Sequence, residues 1–451
     1  MTAEPNRCAR GPGLLPVLAA VLLLAACGAA PTPAPASTPT ATPSVTPAAS
    51  ASPLVSPSPA GSSGSTADAA VYRAIEDQVA AIRGLQPKAR LEPTVLDEPA
   101  LRARIEKAFD EENPAEVIRE SEIFLKALGL LPADASLRDL YLELMGSQVA
   151  GFYDLEADEM FVVSRSGGIG PVEKATFAHE FVHALQDQHF GADRLVDEEA
   201  TKGHGDRSLA WRSVVEGDAS LVQVVWFQQH LTAEEIQQVL SESSDPEMLR
   251  ILEAAPAILR ETMLFPYTAG AQFAIATFQK GGWAAVDALY EKLPESTEQI
   301  LHPDKYDAGE APRPVTLPGN DLARQLGDSW TVADEDTLGE FILFVWIRER
   351  RAAIGPSPDP GASPEPLAGR STAGWGGDRM VLLVGPDGGY AIVLATVWDT
   401  LGDAAEFATA ARSAVRGLPG GTTVRASGDA VTVLLASDAG VLDRLEAALP
   451  E

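Results

Sequence analysis

The chain is poor in covalent staples and in positive charge. It has two cysteines in 451 residues, Cys8 and Cys27, and six histidines. Two cysteines near one end make no disulfide framework, so the fold must be held by its apolar core. A transition-metal site would have to be built from imidazoles and carboxylates. Lysine and arginine number 34 against 64 acidic residues, a formal net charge of −30. That balance argues against nucleic acid or anionic lipid as a partner of the folded part. No long run of like charge forms an acidic tail. No Gly-rich loop followed by Lys cradles a phosphate, and no nucleophile elbow is present.

What is there begins at the N-terminus. Arg7 and Arg10 precede an apolar stretch from Leu14 to Ala26, of signal-peptide length and too short for a comfortable membrane span. It ends Leu24-Ala25-Ala26-Cys27-Gly28, which resembles the lipobox of bacterial lipoproteins, with cleavage before a lipidated Cys27. The expectation is a signal peptide over 1–26 and an extracytoplasmic, membrane-anchored bacterial lipoprotein. From 27 to 66 the chain is almost wholly Pro, Ala, Ser, Thr and Gly, as in PTPAPASTPTATPSVTP. Such a segment buries no core and reads as an extended spacer that holds the folded part off the membrane.

Helical spacing starts at Val71, Ile75, Val79 and Ile82. Helices are expected near 98–110, 115–128 and 137–147, with Asp134 and Ser136 available as caps for the last. A short extended stretch falls at Leu91 to Val95. Residues 149–164, VAGFYDLEADEMFVVS, read as a hairpin turning at 154–158. Its edge could pair with an extended peptide or simply bury the helix that follows.

That helix, Pro171 to Phe190, contains His179-Glu180-Phe181-Val182-His183. Residues four apart share a helix face, so His179 and His183 can point at one ion. Glu180 can then act as general base toward a bound water. Asp187 could orient His183 through its other ring nitrogen, or could lie in a solvated helix end. A second helix, about Ser208 to His230, is mostly apolar yet carries Glu216 and Asp218. A carboxylate inside such a stretch is costly unless paired or metal-bound, which makes Glu216 the expected third ligand. Asp218 points to the other side of the helix and reads as a structural hydrogen-bonding residue.

HEFVHALQDQHF followed by VVEGDA resembles the gluzincin-type zinc metallopeptidases. It is most similar to largely uncharacterised bacterial secreted or lipid-anchored proteins sharing the H-E-F-x-H-A-L-Q-D-Q-H-F signature. The resemblance implies one zinc per chain held by His179, His183 and Glu216, with Glu180 activating water. It also implies a His or Tyr that stabilises the oxyanion. His302 is the candidate, with Tyr306 and Tyr267 behind it, and packing within the 294–306 loop is the competing reading. Many gluzincins have an acidic residue four after the ligand Glu, where this chain has Ser220. The later G-x-x-H of metzincins is absent.

Two further helices should meet at Gly281-Gly282, with Trp283 in their core. Within Trp330 to Arg351 a helix is expected to start after Asp334 or Asp336, with Leu338, Phe341, Ile342 and Val345 inward, and a Pro/Gly/Ser break at 355–369. After it, MVLLVG, YAIVLATVW, TTVRAS and AVTVLLAS read as strands, with helices at 403–418 and 440–448, and 374–379 as a turn. The expected fold is α+β. A mainly helical zincin-like catalytic domain spans 67–354, with a hairpin before its H-E-x-x-H helix, and a small α+β domain spans 370–451. The expected activity is hydrolysis of peptide or protein substrates by an exported zinc metallopeptidase. The rival is a catalytically silent surface-binding or scaffold lipoprotein with a structural metal.

Overall fold

The computed structural model describes residues 66–149, 151–154, 159–163, 169–192, 202–354 and 364–449. The stretches expected as signal peptide and spacer, up to residue 65 and including Cys27, lie outside the described residues, as does the turn expected at 155–158. The protein is a mixture of helix and sheet, helix-rich with two small sheets. Among the described residues no helix is long and apolar enough to cross a membrane.

The N-terminal part runs α1 (Thr66–Arg83), β1 (Thr94–Leu96), α2 (Glu98–Glu112), α3 (Ala115–Ala127), α4 (Leu137–Gln148), β2 (Gly151–Asp154), β3 (Glu159–Val163) and α5 (Pro171–Phe190). Asp97 and Ser136 cap α2 and α4 by accepting from Ala100 N–H and Asp139 N–H. The expected hairpin is present: β2 pairs antiparallel with β3, placing Phe152 opposite Phe161. β1 joins the other edge of β3 in parallel, giving the order β1-β3-β2.

Helix α5 keeps its expected bounds for local reasons. Pro171 supplies a preset φ at the first position, and the Glu173 carboxylate turns back to accept from Gly170 N–H. Gly191 ends it in the left-handed region at φ 66°. Between those ends Phe177, Ala178, Phe181, Val182 and Leu185 are fully buried, together with Val79 of α1 and Val162 of β3. Burying side chains of this size contributes about 1.5–3 kcal/mol each.

The chain continues through α6 (Gly205–His230), α7 (Ala233–Glu242), α8 (Pro246–Ala254) and α9 (Ala257–Phe265). A single π-helical turn (Pro266–Gly270) leads into α10 (Ala271–Glu291). As expected, α10 breaks at Gly281-Gly282, where Gly282 takes φ 63°, and Trp283 packs edge-on against Phe278. Short helices α11 (Thr297–Leu301), α12 (Pro303–Ala308) and α13 (Gly319–Leu326) follow.

The C-terminal part differs from its expected layout at its start. Residues 331–336 form a strand, β4 (Thr331–Asp336), and the helix expected to start after Asp334 or Asp336 begins at α14 (Gly339–Ile354). The acidic sequence TVADED is a strand because it pairs with β5 (Trp375–Val384), a tertiary override of weak local propensity. Trp375 to Arg379, expected as a turn, are the opening residues of β5. After α15 (Pro364–Thr372) and β5 come β6 (Tyr390–Trp398), α16 (Leu401–Ala414), β7 (Gly421–Ser427), β8 (Ala430–Ala436) and α17 (Ala439–Ala448). The sheet is antiparallel in the order β4-β5-β6-β8-β7.

One face of that sheet packs on α13 and α17 through Leu322, Val393 and Leu445. The other face does not close a separate core. Met380, Ile392 and Val433 share one apolar cluster with α14 and α16 and with Phe124, Leu209, Val214 and Phe273 of the preceding helices.

Candidate metal centre

Helices α5 and α6 pack side by side, and their facing surfaces carry the histidines and Glu216. His179, Glu180 and His183 each offer a ligand atom, and these atoms lie within 4.8 Å of one another, so this triad could hold a metal ion. All three side chains are buried, as is Glu216 at 8% exposure. Glu216 reaches across from α6: its Oε2 is 3.2 Å from His179 Nε2 and 3.4 Å from His183 Nε2. Ligand atoms about 2.0–2.1 Å from one ion at the tetrahedral angle stand about 3.3 Å apart. The two separations from Glu216 Oε2 therefore match two edges of such a tetrahedron.

Glu180 is placed differently. Its Oε2 accepts from Tyr153 N–H at 2.8 Å, so the hairpin holds the carboxylate by its backbone. Its Oε1 is buried with no hydrogen-bond partner, as are His179 Nδ1 and His183 Nε2. Buried polar atoms of one helix left without partners in this way are costly unless a proton or cation joins them.

The electrostatics describe the same competition. Burial holds the His179 imidazole below its ordinary value, against the hydrogen bond it makes to the Glu216 carboxylate. Burial pushes the Glu180 carboxyl up to about 8. At His183 burial opposes the charge, yet the Glu216 carboxylate outweighs it and raises the imidazole to about 9. Burial would lift Glu216 too, but the two histidines hold it well below the usual carboxylate range. The donor set of two imidazoles and one or two carboxylates suits zinc among divalent ions.

His183 is oriented by Gln186 rather than Asp187: its Nδ1 lies 2.9 Å from Gln186 Oε1. The Gln186 amide donates to Val215 O at 2.9 Å and to Asp218 Oδ2 at 3.2 Å. Asp218 is the structural residue its helix position implied, accepting from Arg83 Nε at 2.8 Å and from the Tyr290 hydroxyl at 2.9 Å. The Gln223 amide donates to Ala175 O at 3.0 Å beside His179.

The residues named for oxyanion stabilisation are not brought together. His302 pairs with Glu340 at 3.0 Å, and the Tyr306 hydroxyl donates to Lys292 O at 2.6 Å. Tyr267 is the aromatic at the site, with its ring centroid 6.1 Å from that of His179. It sits in the π-helical turn packed against α6, a geometry common at functional sites. The sequence held one cue to Gln186, its i+3 position on the face of His183. It held none for Arg83 or the backbone of Tyr153, which only folding brings near.

A family described as a domain of unknown function (DUF8575) matches residues 328–446. That match spans β4 to β8 with α14, α15, α16 and most of α17, and excludes α13 and the imidazole cluster. No curated protein and no solved structure matches the chain.

Proposed function

We propose that the protein is an exported, lipid-anchored zinc metallopeptidase. The observation that carries this reading is the placement of Glu216 Oε2 at 3.2 and 3.4 Å from the Nε2 atoms of His179 and His183. Two imidazoles and one carboxylate would hold the ion, leaving Glu180 outside the ligand set. Zinc supplies Lewis acidity toward water and a scissile carbonyl. Glu180, held through Tyr153 N–H with its other oxygen unpartnered, is placed to take a proton from water and return it to the leaving amine. Tyr267, whose ring lies 6.1 Å from that of His179, takes the place of His302 and Tyr306 as the candidate for oxyanion stabilisation. The cell-membrane location rests on the Cys27 lipobox, and the substrate class is peptide or protein.

The burial of all four site side chains favours a second reading, a structural metal in a silent binding or scaffold protein. Metal content and peptide-library cleavage by the full-length chain separate the two. One equivalent of zinc, with cleavage lost in Glu180→Gln, supports the peptidase. Zinc without cleavage in either protein supports the structural metal, and no metal defeats both.

A further inference from the structure

The amide of Gln186 is a neutral link in a buried chain that ends in the ion pair of Asp218 and Arg83. Its orientation follows from its partners. Val215 O can only accept, and Asp218 already receives N–H and O–H donors from Arg83 and Tyr290. The Gln186 nitrogen lies 2.9 Å from Val215 O and 3.2 Å from Asp218 Oδ2, so both of its N–H groups are spent on acceptors. Its oxygen is thereby forced toward His183 Nδ1, 2.9 Å away. An oxygen in that place requires a hydrogen on Nδ1. In the neutral imidazole that a metal requires, the opposite nitrogen, Nε2, then carries the lone pair, on the side of Glu216.

We infer that Gln186, aimed by Asp218 and Arg83, is the positioning residue that fixes His183 as the Nδ1–H tautomer and turns its Nε2 toward the metal site. This inference rests on the metal reading above. The relay crosses three helices: Arg83 ends α1, Gln186 lies on α5 and Asp218 on α6, and all three side chains are buried. Using an amide where a carboxylate could serve has a chemical consequence. Two neutral imidazoles, one carboxylate and a divalent ion carry net positive charge, and a neutral partner at Nδ1 leaves that charge undiminished.

The test uses the full-length chain loaded with zinc. Long-range 1H–15N spectra of the histidine side chains should show His183 protonated at Nδ1 and metal-bound through Nε2. Gln186→Leu should weaken zinc binding roughly 10–100-fold. Gln186→Glu sets a second carboxylate against Asp218 and should also weaken it. The double variant Gln186→Glu/Asp218→Asn restores the match of donor to acceptor, because the new amide donates to the new carboxylate. Zinc affinity should then recover most of the loss.

A His183 bound through Nδ1, zinc affinity unchanged in Gln186→Leu, or a double variant no better than Gln186→Glu would each overturn the relay. Those outcomes leave zinc binding by the wild-type chain intact. A wild-type chain that takes up no zinc is a separate failure, which removes the metal reading and the relay with it.

Discussion

Gly217 and Gly270 meet backbone to backbone where α6 passes the π-helical turn. A Cβ on Gly217 would stand 2.3 Å from the Gly270 carbonyl oxygen, and one on Gly270 would stand 2.4 Å from the Ser213 carbonyl oxygen. Both residues have ordinary helical surroundings, so the requirement is for space. The contact is adjacent in sequence to Glu216 and brings the turn carrying Tyr267 against α6.

Gly217→Ala should therefore do more than overpack a core. Backbone cannot rotate away as a side chain can, so the loss should reach or exceed the usual range of about 1–3 kcal/mol. Urea unfolding reads this, and zinc uptake should fall in parallel because Glu216 moves with its neighbour. A variant with wild-type stability would show that the helices separate freely here.

Replacing Glu180 by Gln should leave zinc content at one equivalent while hydrolysis falls by on the order of 10²–10⁴. Metal analysis beside a peptide-cleavage assay checks it. Loss of the metal as well would make Glu180 a ligand, as its place in the buried triad permits.

Glu216→Ala removes the carboxylate that both imidazoles face. Competition with a chromophoric chelator should show a loss of zinc affinity larger than the roughly 10–100-fold typical of an outer hydrogen-bonding partner. Unchanged affinity would mean that another group completes the site.

The aromatic at the centre and the histidine away from it should separate in kinetics. Tyr267→Phe should lower kcat with KM little changed, whereas His302→Gln should leave both near wild type. The reverse result would restore His302 to the reaction.

A pH effect on stability is expected far from the metal centre. Asp206, at the start of α6, accepts from Thr297 through Oδ1, while its Oδ2 is buried with no partner. Burial pushes Asp206 up to about 8 and the neighbouring Asp378 to about 6. Burial also raises Asp334 and Asp336, with the Asp336 charge adding to it at Asp334 and the Asp378 charge at Asp336. An acid raised in the folded state binds more protons there than in the unfolded chain. Its contribution is fully present below the ordinary value of 3.8 and is lost as pH rises through the folded value. Stability should fall between about pH 4 and 8, by about 1.4 kcal/mol per pH unit for each proton of difference. Asp206→Asn keeps the acceptor and mimics the neutral acid, so its unfolding midpoint should overtake wild type at pH 8 but not at pH 5.

Much of this arrangement was legible in the residues. Gly170-Pro171, Glu173 and Gly191 mark both ends of α5 by local chemistry, and the alternating run before it marks the hairpin. A carboxylate stranded in the apolar α6 pointed to Glu216. What escaped depended on long-range partners. TVADED reads as a helix entrance until β5 lies beside it. A glutamine's role is set by which of its two ends faces which neighbour, and those neighbours include Arg83, far away in sequence. His302 is a candidate because the resemblance implies a His or Tyr at the oxyanion, but its charge partner Glu340 belongs to α14.

Helix α6 has a socket at its N-terminal end. Gly205 N–H donates to Asp336 at 2.6 Å and Asp206 N–H to Thr337 O at 3.1 Å, both within the stretch matched by DUF8575. Glu216 stands about 15 Å further along the same rod, at 1.5 Å per residue. Its two imidazole neighbours ride on another helix, α5. Any partner that tilts α6 in its socket thus moves one jaw of a vice against the other, and the C-terminal sheet holds the handle.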